Sequence, residues 1–232
     1  MLRHPGSDVL VRAEALECGY AGATVCGPLD LTLHAGERLA IVGANAAGKS
    51  TLLRTLLGRQ DPVAGRTRIL GMPALDTAAP LRRAVSTVLD EDAFFPTLTV
   101  HEHLTMVALG HGVPDPEAAV AAELVFFALA EAAERMPRAL SSGQRRRLLL
   151  AAACLRPFRL LAVDEPEQRL DQGMRDRLAE RFARLGQEGV GLLLVTHDPA
   201  LLSSCADRCL IVNGEVREDS VDAGARWIRE RT

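Results

Sequence analysis

Across 232 residues, hydrophobic side chains make up 48% and charged ones 25%, enough apolar material for one large domain or two small ones. Lys plus Arg number 27 and Asp plus Glu 30, a net charge of −3 that argues against holding nucleic acid by bulk charge. No apolar run reaches the ~18 residues a spanning helix needs, and Met1-Leu-Arg-His-Pro-Gly6 has no apolar core for a signal peptide, so secretion, membrane spanning and disorder are not the expectation.

In chain order, Val9–Glu17 and Leu29–Leu33 alternate apolar and polar residues as half-buried strands do. Arg38–Val42 is a short apolar run ending at Gly43, and Lys49–Leu57 then takes helical periodicity. Arg66–Leu70 and Ala84–Leu89 read as further strands, whereas the stretch from about Val100 to Arg156 turns Ala- and Leu-rich with helical spacing. Leu160–Val163, Gly191–Val195 and Arg208–Val212 are apolar runs of the kind buried on both faces of a parallel sheet, with a helix over Asp171–Leu185 between the first two. This alternation predicts an α/β core carrying a helical insert. The cysteines, Cys18, Cys26, Cys154, Cys205 and Cys209, form no CxxC pair and read as reduced thiols, Cys205 and Cys209 as small buried residues.

Gly43-Ala44-Asn45-Ala46-Ala47-Gly48-Lys49-Ser50 fits G-x4-G-K-[ST] without mismatch, after an apolar strand and at the start of a helix. Glycine is needed where backbone N–H groups close on phosphate oxygens, and the helix adds its positive end. Lys49, the only lysine in the chain, is expected to reach the β- and γ-phosphates, and the Ser50 hydroxyl to hold Mg²⁺, with Thr51 behind. A guanine-reading Asn-Lys-x-Asp motif is excluded because that one lysine is already used.

The strand Leu160–Val163 ends in Asp164-Glu165, and parallel sheets bring such ends beside the P-loop. Asp164 is expected to serve the Mg²⁺ shell and Glu165 to act as general base. His197 closes the strand Gly191–Val195, where it would sense the γ-phosphate or stabilise the transition state by a hydrogen bond, or else take a structural role. His101 and His103, two apart on a helix, point to different faces and take surface or packing roles. Ser141-x-x-Gln144 reads as a capping box opening the apolar helix Leu148–Leu155, and Arg145-Arg146-Arg147 as a solvated helix face.

With these residues in hand, the sequence closely resembles the nucleotide-binding subunit of ABC (ATP-binding cassette) transporters over nearly its whole length. Gly43–Ser50 is similar to Walker A, Leu140–Gln144 (with Ser141, Ser142 and Gly143) to the LSGGQ signature, Leu160–Glu165 to Walker B, Leu170-Asp171 to the end of the D-loop, and His197 to the switch histidine. Tyr20 sits where the family places an aromatic that stacks on adenine.

The resemblance implies an α/β P-loop fold with a RecA-like mixed sheet, an antiparallel β subdomain and a helical signature subdomain. It implies one nucleotide-binding domain over 1–232, with 1–90 and 157–232 as catalytic core and about 91–156 as helical subdomain. It further implies a dimer that sandwiches MgATP between one subunit's Walker motifs and the other's signature. A separate transmembrane permease subunit would be driven from the inner face of the cell membrane, the chain being cytoplasmic and peripheral. The alternatives are a soluble ABC ATPase outside transport and an ATP-binding regulatory subunit with weak hydrolysis.

Five positions depart from the family pattern. Ala46 and Ser142 replace glycines, Gln168-Arg169 replaces Ser-Ala ahead of Leu-Asp, and the Q-loop glutamine falls on Asp90, whose carboxylate is expected to contact Mg²⁺ or its water. Phe94 and Phe95 fall where the family lines a groove for the permease, or else in core packing. The short segment after the last strand, with Trp227 and Ile228 on a final helix packed on the core, makes export the expected direction.

Overall fold

The computed structural model describes residues 9–75, 78–89 and 93–231. The chain runs β1 (Val9–Tyr20), β2 (Ala23–His34), β3 (Arg38–Gly43), α1 (Lys49–Leu56), β4 (Ala64–Ile69), β5 (Met72–Pro73), α2 (Ala79–Ala84) and β6 (Val85–Val88). It continues through α3 (Val100–Gly110), α4 (Pro116–Phe126), α5 (Ser142–Leu155), β7 (Leu160–Asp164), α6 (Gln172–Gln187), β8 (Gly191–Val195), α7 (Pro199–Cys205), β9 (Arg208–Asn213), β10 (Glu215–Asp219) and α8 (Val221–Arg229).

Two sheets organise these elements. One is four-stranded and antiparallel, in the order β2-β1-β4-β5; the other is six-stranded, in the order β10-β9-β3-β8-β7-β6. Within the second, β9, β3, β8, β7 and β6 pair in parallel and β10 adds an antiparallel edge. This is the mixed α/β architecture that the resemblance implied.

The apolar runs at β7 and β8 are explained by what covers each face. Leu161 and Val163 of β7, with Leu192 and Leu194 of β8, enter the core shared with helices α3 to α6. Leu160, Ala162, Leu193 and Val195, the alternate positions, enter the core beneath α1 and the four-stranded sheet. Successive strand side chains point to opposite faces, so a strand with a core on both sides has no room for a polar position. A third, smaller core joins α7 and α8 to Ala40 and Val42 of β3 and to Cys209 and Ile211 of β9.

Several elements differ from the sequence expectation. β1 runs on to Tyr20 and β2 starts at Ala23, because bulges between Ala13 and Leu16 and between Cys18 and Gly19 restore the pairing that Ala15, at φ 43°, interrupts. The short α2 and α7 and the edge strands β5 and β10 are too brief to show a period. Helix α7 is marked by Asp198, whose Oδ1 accepts from the Ala200 and Leu201 amides with Pro199 in the first turn. Cys205 and Cys209 are buried and unbridged as expected, and burial pushes both thiols up to about 12. Among the described residues no helix is long and apolar enough to cross a membrane.

Candidate functional site

Strand β3 delivers the P-loop at the C-terminal edge of the parallel sheet. The loop turns through Ala46 at φ 61°, with the Ala47 amide donating to the Ala44 carbonyl at 3.2 Å. It enters α1 at Gly48, whose φ of 100° and close approach to β2 both demand glycine. A Cβ there would lie 2.8 Å from Val25 Cγ1 and 3.3 Å from Cys26 Sγ. Lys49 is 5% exposed and its ammonium donates to the Ala44 carbonyl at 2.9 Å. Burial lowers the Lys49 pKa, opposed by the negative fields of Glu165 and Asp164, so the two motifs share one electrostatic neighbourhood.

Asp164 ends β7, 2% exposed, in register with Val195 of β8. Glu165 follows at φ 47°, a left-handed turn that lifts its carboxylate out of the sheet. Its Oε1 lies 3.0 Å from His197 Nε2, and its Oε2 accepts from the Gln168 amide group. In the sequence Gln168 is only a departure from the family pattern; folding makes it a direct partner of Glu165. Glu165, His197 and residues Gly43–Asn45 line one cavity of about 690 Å³. Ile228 is buried and Trp227 packs on the same small core, as expected; both also line that cavity, with the Arg231 guanidinium 4.7 Å from the Trp227 ring centre.

Glu167, which carries no signal in the sequence, is buried beside Glu165 and His197. Its Oε1 accepts from the Thr196 hydroxyl at 2.6 Å and from the His197 amide at 2.8 Å. Burial raises its pKa, and those two bonds pull it back.

The capping box formed by Ser141 and Gln144 is present: Ser141 Oγ accepts from the Gln144 amide at 3.2 Å and Gln144 Oε1 from the Ser141 amide at 2.9 Å. It opens α5 at Ser142, six residues ahead of the expected apolar helix, because Gly143 to Arg147 belong to the helix too. Ser141 and Ser142 are exposed, and these signature residues do not line the P-loop cavity of their own chain. Gly143 packs against the loop after β7; a Cβ there would lie 2.7 Å from the Arg169 carbonyl.

The arginine triplet is not the solvated face expected. Arg145 donates to the Leu140 carbonyl at 3.1 Å, and Arg146 to the carbonyls of Asp164 and of Glu165, the latter at 2.7 Å. Arg147 pairs with Asp171 at 2.5 Å. The signature helix is thereby tied to the backbone that carries the acidic pair. A charge run in a sequence carries no sign of which carbonyls it will meet.

Tyr20 is 54% exposed, with its hydroxyl 3.0 Å from Thr51 Oγ1, so its ring is open to a ligand while its position is fixed from α1. His103 is buried between Phe94 and Phe95, at ring-centre distances of 6.0 and 5.7 Å. Phe95 stays 50% exposed while Phe94 packs on the helical core. Asp90 lies outside the described residues.

A model of the ABC transporter family matches residues 26–168. The chain belongs to the ABC transporter family. It is an ATP-binding subunit of that family and an ATPase. A thiamine import ATP-binding protein of Haemophilus influenzae is 37% identical over 196 residues, covering 82% of this chain and 89% of the relative. A putrescine transport ATP-binding protein of Escherichia coli is 34% identical over 207 residues, covering 88% of this chain but only 55% of the relative. The chain thus spans little more than half of some curated relatives.

Among solved structures, an ATP-binding subunit of an ABC transporter superposes with a TM-score of 0.83 at 28% identity, covering 96% of this chain and 94% of that one. A dimeric ATP-binding cassette bound to ADP and phosphate shares the fold, with a TM-score of 0.80 at 21% identity over 91% and 99% of the two chains.

The expectation of export is not met by these relatives, which include proteins named for thiamine import and 2-aminoethylphosphonate import. The thiamine import protein is close to this chain in matched length, so a short segment after the last strand does not separate the two directions.

Proposed function

We propose that this chain binds MgATP at the P-loop, dimerises around it and hydrolyses it to drive solute import through a separate transmembrane permease subunit. The observation that supports this most is the convergence of Gly43–Asn45, Glu165 and His197 on one cavity, with the Glu165 and His197 side chains 3.0 Å apart. Glu165 takes a proton from the attacking water, and His197 steadies Glu165 and the γ-phosphate. Lys49 leaves the Ala44 carbonyl for the phosphates, which are richer acceptors. Tyr20 stacks on adenine. Ser141, Ser142, Gly143 and Gln144 present the capped start of α5 to the γ-phosphate held by the second subunit, which is a homodimer partner or a related chain.

The donor set fits Mg²⁺: the Ser50 hydroxyl in the first turn of α1 and the buried Asp164 carboxylate are hard oxygen ligands. When bound, Mg²⁺ neutralises charge developing on the phosphate oxygens. Residues 1–232 act as one nucleotide-binding domain, with about 91–156 as its helical subdomain. The permease holds it at the inner face of the cell membrane. The relatives named for import support that direction, and the permease is the subunit that recognises the cargo.

Glu165→Gln keeps the shape of the site and removes the base, so this variant accumulates as an ATP-bound dimer. Light scattering with MgATP checks it; a variant that stays monomeric overturns both the base assignment and the sandwich.

A further inference from the structure

Glu167 is the second residue after the proposed base and is 6% exposed. A carboxylate buried this far is expensive unless hydrogen bonds replace its water. Both bonds it receives come from one place, the turn between β8 and α7: the Thr196 hydroxyl at 2.6 Å and the His197 backbone amide at 2.8 Å, each to Oε1. The Thr196 oxygen in turn accepts from the Asp198 amide at 3.0 Å, so a single carboxylate oxygen organises three consecutive residues. Its other oxygen, Oε2, is buried without a hydrogen-bond partner among the described residues. The Glu165 amide donates to the Val195 carbonyl at 2.9 Å, the last ladder contact before the two strands part. Beyond it, Glu167 is a second tie between the loop that carries Glu165 and the turn that carries His197.

We infer that Glu167 is the positioning residue of His197, holding the histidine backbone against the loop after β7 so that the imidazole stays within reach of Glu165. Glu167 also borders the cavity of Glu165 and His197, but its bonded oxygen is taken up by the Thr196 hydroxyl and the His197 amide, so it acts through the backbone it holds. The inference rests on the proposed roles of Glu165 and His197 in hydrolysis. Glutamine at 167 keeps an oxygen at the Oε1 position and preserves both bonds. Leucine fills the space and accepts nothing.

The test compares wild type, Glu165→Gln, Glu167→Gln and Glu167→Leu by steady-state ATPase kinetics, by affinity for a fluorescent ATP analogue, and by hydrogen exchange at the His197 amide. Glu167→Leu is expected to lower kcat about tenfold or more, with KM and nucleotide affinity within about threefold of wild type, and to speed exchange at His197. Glu167→Gln is expected to keep kcat within about threefold and leave that amide protected. Should Glu167→Leu not fold, Glu167→Asp, which keeps the charge but falls one methylene short, takes its place with the same expected loss.

A leucine variant that retains most of its kcat, loses nucleotide affinity in step with rate, or is no worse than glutamine would overturn the inference. An inactive wild type, or full activity in Glu165→Gln, would instead overturn the function beneath it, and the inference with it.

Discussion

Helix α4 is fastened to α6 by an ion pair that the fold has almost wholly removed from water. Arg181 donates from both terminal nitrogens to Glu123, one bond at 2.9 Å, with the two side chains 12% and 9% exposed. The same guanidinium lies 4.6 Å from the centre of the Phe126 ring and 5.8 Å from that of Phe127. Glu123→Ala leaves a buried cation without its counter-charge, and breaking one side of such a pair costs about 3–5 kcal/mol. The cation–π contacts do not replace the carboxylate, being worth about 2 kcal/mol at most and present before the substitution.

Replacing both partners with apolar groups of similar volume, as in Glu123→Leu with Arg181→Met, removes the desolvation penalty together with the attraction. That double variant is expected within about 1 kcal/mol of wild type. Urea unfolding followed by circular dichroism reads both. With a slope of about 3 kcal/mol per molar for a chain of this size, the single variant shifts the midpoint down by about 1–2 M. A single variant that loses less than about 1 kcal/mol, or a double variant as unstable as the sum of its two singles, would refute the reasoning, because the pair would then be neither dry nor coupled.

Two further substitutions probe the site and its frame. Ala46 holds a left-handed φ of 61° in the P-loop, so Ala46→Gly is expected to stabilise the fold by about 0.5–1 kcal/mol; a lowered urea midpoint would contradict this. Asp207 accepts from Arg38 through its backbone amide, Nε and Nη2, and the hydrogen bonds to that guanidinium hold the Asp207 carboxyl below its ordinary range. The folded state therefore binds this proton less tightly than the unfolded chain, and the contribution is full above about pH 5 and fades as pH falls through the lowered pKa. Asp207→Asn is expected to cost about 1 kcal/mol at neutral pH, a modest figure because the pair is partly solvated. A stability gap between variant and wild type that persists unchanged at pH 3 would count against the assignment.

The sequence by itself determined the chemistry that spacing can carry. A P-loop is eight consecutive residues, and the capping box formed by Ser141 and Gln144 spans one helical turn, so both are complete within the range over which neighbours in sequence are neighbours in space. The buried strands β7 and β8 were equally legible, because a face covered on each side admits only apolar side chains.

Contacts between distant segments were decided only by the tertiary structure. Arg146 reaches across 18 and 19 residues to the carbonyls of the acidic pair, Arg181 across 58 to Glu123, and Thr196 across 29 to Glu167. In each case the sequence shows a charged or polar residue that is equally at home in water. Nothing in its composition says which partner the sheet order and helix packing will bring. Glu167 makes the point most plainly. It sits beside Pro166 and Gln168 in an ordinary polar turn, and becomes a buried acceptor only because β7 and β8 lie adjacent in the sheet and place the His197 amide 2.8 Å away.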